Sequence, residues 1–161
     1  MPRRAVAALL ALALAVALPR PAEAVDWAVS IGAIEAIAVP EGKHLAAYPY
    51  LGLSLAIPLP RVTLIPALSI EAAPEVGQWG LVGSFTFDFP ISKYLGIDLA
   101  ATVIHNQSGL DWSTAELLVG PGAGISLFAG PWTISPFLNF FRDLTFPGWV
   151  LVPGINAAYT L

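Results

Sequence analysis

The sequence WVLVPGINAAYTL, residues 149–161, decides the fold of this chain. Apolar residues or proline occupy every odd-numbered position, and the residues between them become small or polar towards the end of the stretch: Gly154, Asn156, Ala158 and Thr160. A period of two predicts a β-strand whose two faces meet different surroundings. The alternation continues to the last residue, so we expect the sequence to end within this strand.

Seven further segments alternate in the same way. We predict eight strands in all, at residues 26–38, 44–59, 61–73, 79–91, 95–105, 114–128, 132–142 and 149–161. Tight turns alternate with longer loops, the turns near residue 60, at 92–94 and at 130–131, the loops at 39–43, 74–78, 106–113 and 143–148. An even number of strands joined in this way is the pattern of an antiparallel up-and-down transmembrane β-barrel, an all-β fold.

The two faces of these strands differ in composition. One face collects large apolar residues and carries no formal charge until Glu35, His105 and Arg142 continue it at the loop ends. The other face is rich in Gly, Ser and Thr. The interior of an eight-stranded barrel is only wide enough for side chains, so the small polar face fits inside and the apolar face meets lipid. A charge on the lipid face would cost about 2–4 kcal/mol at the bilayer midplane.

Composition supports a membrane-embedded barrel. The chain is 57% hydrophobic and 11% charged, whereas a soluble domain carries about a quarter charged residues. Beyond residue 24 no segment is apolar for 18 residues, and a very apolar chain without a transmembrane helix is typical of a closed barrel. The chain has no Cys, which excludes disulfides and thiolate catalysis.

Residues 1–24 predict a secretory signal peptide. Arg3 and Arg4 precede an apolar run from Ala5 to Leu18, and Ala22-Glu23-Ala24 is a small-x-small cleavage site. Residues 25–161 would then form one barrel domain. This domain keeps four cations and ten acids, a net charge of about −6, which argues against nucleic acid as a partner.

Over residues 25–161 the chain resembles the small bacterial outer-membrane β-barrels of the OmpA and OmpX type. Tyr159 and Leu161 are similar to the closing strand of that family, which usually ends in Phe. The resemblance implies a Gram-negative outer membrane, with both termini on the periplasmic side. It also implies contact with lipid and lipopolysaccharide, and insertion by the barrel-insertion machinery through the last strand. The oligomeric state stays open.

Aromatic residues stand near the strand ends. We predict two membrane-interface girdles, where amphipathic rings are favoured, formed by Trp27, Trp79, Tyr94, Trp132, Trp149 and Tyr159. Five prolines stand inside predicted strands on the lipid-facing parity: Pro49, Pro66, Pro121, Pro136 and Pro153. Each lacks the N–H group that a closed ladder requires.

Ionisable residues are predicted in the lumen in two groups: Glu71, Glu116 and His44 near the loop end, and Asp88 and Asp98 near the turn end. Such carboxylates could handle protons or cations. Acids bonded to neighbouring hydroxyl groups would instead form a polar plug, which is the interpretation we favour. No cofactor motif accompanies them, and the chain's two His are far apart in sequence, so we predict no cofactor and no metal site.

An alternative function rests on His105-Asn106-Gln107-Ser108 and Glu116, which hold the residue types of a hydrolytic triad. The stretch resembles the outer-membrane lipid A 3-O-deacylases, which are also eight-stranded barrels. That resemblance implies His105, Ser108 and Glu116 as catalytic residues. The family motif is His-x-Ser-Asn, whereas the spacing here is His-x-x-Ser, and a polar loop tip explains the same residues.

We therefore predict a non-enzymatic, porin-like outer-membrane barrel with a side-chain-filled or very narrow lumen and a structural or surface-interaction role. A lipid A deacylase-like hydrolase and a small pore are the alternatives, because a fold does not settle a function.

Overall fold

The computed structural model describes residues 25–39, 41–108, 115–145 and 148–161. Eight antiparallel strands form one closed barrel in chain order: β1 (Asp26–Val39), β2 (Lys43–Pro58), β3 (Thr63–Ala73), β4 (Gln78–Ser92), β5 (Leu95–Ser108), β6 (Glu116–Ala129), β7 (Trp132–Asp143) and β8 (Gly148–Thr160). The predicted fold class and strand number are confirmed. No helix in the described ranges is long and apolar enough to cross a membrane.

The first and last strands close the barrel. β8 pairs with β1 along most of its length, from Trp149 opposite Val39 to Thr160 opposite Ala28. The Leu161 N–H donates to the Trp27 carbonyl oxygen at 2.8 Å, so the ladder extends to the end of the sequence. Closure leaves no open sheet edge, which is the condition for a sheet to span a bilayer.

Strand bounds agree with the predicted ones to within two residues, except at the end of β5. The strand was predicted to end at residue 105, but it continues to Ser108 because Gln78, the first residue of β4, lies opposite Ser108. The prediction of a loop at 106–113 is therefore wrong for 106–108. The rest of that loop, 109–113, and the predicted signal peptide, 1–24, lie outside the described residues.

Side chains alternate between the outside of the barrel and the lumen along each strand, as predicted. In β4, Phe85, Phe87 and Phe89 point outward and are exposed, whereas Asp88 between them is buried in the lumen. The same contrast holds around the barrel, where the exposed large apolar side chains of the strands all lie on the outward parity. The outside of the barrel is therefore apolar.

The five prolines on the outward parity of the strands interrupt the ladders without breaking the barrel. Pro121 lies opposite Ala101 of β5, but the ladder from β6 to β7 lacks a pair at Pro121 and resumes in the same register at Gly122. Each of the other four likewise keeps its pairing with one neighbouring strand and lacks a pair on the opposite side: Pro49, Pro66, Pro136 and Pro153. A strand residue directs its N–H towards one neighbour, so a proline removes hydrogen bonding on that side alone.

The outward face predicts that the cost of introducing a charge depends on the depth of the position in the membrane. We expect Leu53→Arg to destabilise the barrel by about 2–4 kcal/mol, because Leu53 lies on the lipid-facing side well inside β2. Leu45→Arg, on the same face of the same strand but near the loop end, should cost about 0–1 kcal/mol. Denaturant unfolding in lipid vesicles measures both. Equal costs at the two positions would contradict a lipid-facing exterior.

Candidate functional site

An apolar cluster fills the loop-end half of the lumen. We call it the apolar plug, and it consists of eight buried side chains: Ile34, Ala46, Tyr48, Ala73, Ile104, Leu118, Phe141 and Val152. Phe141 is fully buried. These side chains come from all round the barrel and pack together, so they close the lumen at the loop end. Buried polar side chains such as Glu71 and Asn106 accompany this cluster, so the polar filling predicted for the lumen is joined here by an apolar core.

Below the plug lies an internal cavity of about 430 Å³, which we call the lumenal chamber. Glu71 and the plug residue Ile104 line its deep end. The exposed residues Asp26, Pro58 and Gly130 line its mouth at the turn end. Gly, Ala, Ser and Thr make up much of its wall, and their small side chains leave this space unfilled. The lumen is therefore closed at the loop end and open at the turn end.

Tyrosines mark the boundary between plug and chamber. The Tyr48 hydroxyl donates to Gln78 Oε1 at 2.6 Å, and the Tyr50 hydroxyl donates to Asn156 Oδ1 at 3.0 Å. The Tyr50 ring lies against Gly32, where any Cβ atom would collide with it. Glycine at this position thus makes room for a large ring inside a narrow barrel.

Carboxyl groups stand along the chamber. Asp88 and Asp98 are direct cross-strand partners near the mouth, and both are buried in the lumen. The Ser126 hydroxyl donates to Asp98 Oδ2 at 2.6 Å and also lies 3.0 Å from the Ser135 hydroxyl. Glu71 lies at the deep end and is 1% exposed. All three acids are on the lumenal face, as the alternation predicts.

His44 lies at the exposed loop rim. Its Nδ1 atom is 3.0 Å from Glu35 Oε1, and its Nε2 atom is 3.9 Å from Glu75 Oε1. The prediction that His44 points into the lumen is wrong, because the β1–β2 register shifts between Ala36 and Ile37. Within the described residues, no group of three or more His, Cys, Asp or Glu side chains could hold a metal ion.

The three residues of the hydrolytic alternative lie within or at the start of strands. Asn106 pairs with Glu116, and His105 pairs with Leu117. By alternation, Glu116 takes the lumenal parity and His105 the lipid-facing one. Ser108, the last residue of β5, is exposed, whereas Gln107 beside it is buried, so the alternation of burial ends there.

The predicted girdle aromatics lie near the two ends of the strands. At the turn end, the Trp132 and Tyr159 rings meet edge to face with centroids 5.0 Å apart, and Lys93 Nζ lies 4.7 Å from the Tyr94 ring centre. At the loop end, Trp149 stacks on Phe140 at 4.8 Å. Trp27 and Trp79 are half-buried. The membrane-interface role of these rings stays a prediction.

No protein-family model matches the chain, and no curated protein matches it in sequence. Solved structures match its fold. The crystal structure of Neisserial surface protein A is 10% identical with a TM-score of 0.56, and the match covers 84% of this chain and 96% of that one. The N-terminal β-barrel domain of Pseudomonas aeruginosa OprF is 16% identical with a TM-score of 0.53, covering 82% and 97%.

The outer membrane protein Ail of Yersinia pestis, in a phospholipid bilayer nanodisc, is 13% identical with a TM-score of 0.52, covering 84% of this chain and 99% of that one. This chain has the fold of the small outer-membrane β-barrels. At such low identities the likeness concerns the fold alone, and the contents of the lumen must be interpreted from the residues of this barrel.

Two adjacent phenylalanines test the plug. Phe141→Ala should destabilise the barrel by about 3–5 kcal/mol, because it leaves a cavity among packed lumenal side chains. Phe140→Ala, one residue away but facing outward, should cost about 0.5–1.5 kcal/mol through the lost stacking on Trp149. Guanidinium unfolding of the refolded proteins gives both values. A larger loss for Phe140→Ala would contradict the plug.

Proposed function

We propose that this chain is a non-enzymatic integral protein of the bacterial outer membrane whose lumen does not conduct. The apolar plug is the observation that carries the proposal, since it closes one end of the barrel with packed side chains. The apolar exterior supports residence in a membrane, because a bilayer accepts such a surface and water does not. We infer a structural or surface-interaction role, since a closed lumen offers solutes no path through the membrane.

The proposed orientation places the short turns and both termini in the periplasm and the longer loops outside the cell. The longest connection, 109–115, lies on the loop side and the two shortest, 93–94 and 130–131, lie on the turn side, which supports it because outer-membrane barrels have short periplasmic turns. Lipid and the acyl chains of lipopolysaccharide would contact the apolar wall. The last strand, which closes the ladder with β1, would be the segment that the insertion machinery recognises.

The loop-end rim is the part of the barrel that external partners would meet. Acids outnumber cations among its described residues, with Glu35, Glu41, Glu75, Glu116 and Asp143 against Lys43 and Arg142. The described connections there are short, so the rim offers a small acidic surface. A cationic partner would suit this charge better than the phosphate groups of lipopolysaccharide.

Hydrolysis is disfavoured by the placement of the candidate triad. A nucleophile and its base must lie within hydrogen-bond reach, with a third group orienting the base. His105 lies on the lipid-facing parity and Glu116 on the lumenal one, so neither orients the other across the sheet. This separation supports the non-enzymatic proposal.

Planar-bilayer recording tests the closed lumen. The refolded protein should show no steady conductance of nanosiemens order, because the plug closes the barrel at the loop end. The double variant Tyr48→Ala/Phe141→Ala removes the two largest rings of the plug and should admit ions. Steady channels in the unmodified protein would identify a pore instead.

Incubation with lipopolysaccharide tests the absence of enzyme activity. We expect no release of fatty acid by mass spectrometry from the refolded protein, because the triad residues do not share a surface. Glu35→Ala, at the exposed rim, is the matched control for His105→Ala and Ser108→Ala. Release that persists in the control and disappears in the two triad variants would establish the hydrolase instead.

A further inference from the structure

The lumenal chamber has a charge that the proposed function does not use. Three of its carboxyl side chains are deeply buried: Glu71, Asp88 and Asp98 are 1%, 5% and 8% exposed. Among the described residues that line the chamber, none is Lys, Arg or His. The chamber is therefore lined by acids without a basic side chain to balance them.

Several carboxyl oxygens in the chamber have no hydrogen-bond partner within the described part of the chain. These atoms are both oxygens of Glu71, Oδ1 of Asp88 and Oδ1 of Asp98. A buried acceptor without a donor loses its hydration and gains nothing in return. A ligand that brings donors and positive charge into the chamber would satisfy these atoms.

The acids occupy the two ends of the chamber. Asp88 lies opposite Thr63, and Glu71 is eight residues further along the same strand as Thr63. At about 3.3 Å per residue this separation is roughly 26 Å along the strand, or roughly 20 Å along the axis of a barrel whose strands tilt by about 40°. Apolar side chains such as Ile65, Ala67 and Ala100 line the wall between the two ends. One small ion cannot reach both ends, but a linear molecule can.

We propose that the lumenal chamber binds a linear polyamine, which enters from the turn end. Its terminal ammonium groups would lie against the Asp88–Asp98 pair near the mouth and against Glu71 at the closed end. Its methylene segments would contact the apolar side chains of the wall, and its inner ammonium groups would contact Ser and Thr hydroxyl groups such as those of Ser84 and Thr86. An ammonium group brings three donors and one positive charge, which matches unpartnered carboxyl oxygens. A divalent metal fits less well, because the described residues form no cluster of three ligands.

Isothermal titration calorimetry on the refolded barrel in zwitterionic micelles tests the proposal, with spermine as the long probe and putrescine as the short one. Spermine should bind one to one and more tightly than putrescine. Asp88→Asn/Asp98→Asn should weaken spermine binding roughly tenfold or more. Glu35→Gln/Glu75→Gln removes the same formal charge at the exposed rim and should leave the affinity unchanged.

Glu71→Gln separates the two ends of the chamber. It should weaken spermine and leave putrescine unaffected, because the short diamine reaches the Asp88–Asp98 pair alone. No saturable spermine binding, an equal loss in the rim control, or binding of Mg²⁺ without binding of amines would each overturn the proposal. Failure of the closed lumen would appear as conductance and not in this titration, so the two proposals fail separately.

Discussion

Every backbone N–H and C=O group that lies in a bilayer must find its partner inside the protein, and the rest of this structure depends on that constraint. The chain meets it with eight strands in a closed ladder, in which Thr160 of the last strand pairs with Ala28 of the first. Closure in turn fixes two surfaces, one against lipid and one around a narrow lumen. The high apolar content of the chain follows from these two surfaces, because the larger one, against lipid, must be apolar.

The residues that face the lumen also differ along the barrel axis. Near the loops the inward positions carry side chains such as Ile104, Leu118 and Phe141, which pack as a soluble protein core does. Near the turns they carry Gly, Ala, Ser and Thr, which leave the chamber. The high hydrophobic fraction of the chain thus has two sources, a lipid-facing wall and a small internal core. The buried acids beneath that core distinguish the chamber from a simple packing defect.

The strands and their two faces could be predicted from the sequence. Alternation with a period of two and the absence of charged residues from one face are both local signals. The end of β5 could not be predicted, since Ser108 is in a strand only because Gln78 of β4 lies opposite it. The position of His44 depends on a shift in the pairing of its strand with β1 and is equally non-local. The plug had a signal, namely apolar residues such as Ile34 and Leu118 on the inward parity near the loops. Sorting the faces by polarity alone hid this signal. The chamber below the plug could be found only from the packed structure.

The ladder pairs that are missing beside the five outward-facing prolines are not spread evenly around the barrel. Two of them fall between β2 and β3, two between β6 and β7, and one between β8 and β1. The first two seams stand four strands apart in an eight-stranded ring, so they face each other across the barrel. β3 to β6 form one panel, whose ladders are continuous apart from a register shift near Ser92, and β7, β8, β1 and β2 form the other, which contains the gap at Pro153. The β2–β3 and β6–β7 ladders hold the fewest pairs of the eight, so the two seams are the lines along which the closed ladder is weakest.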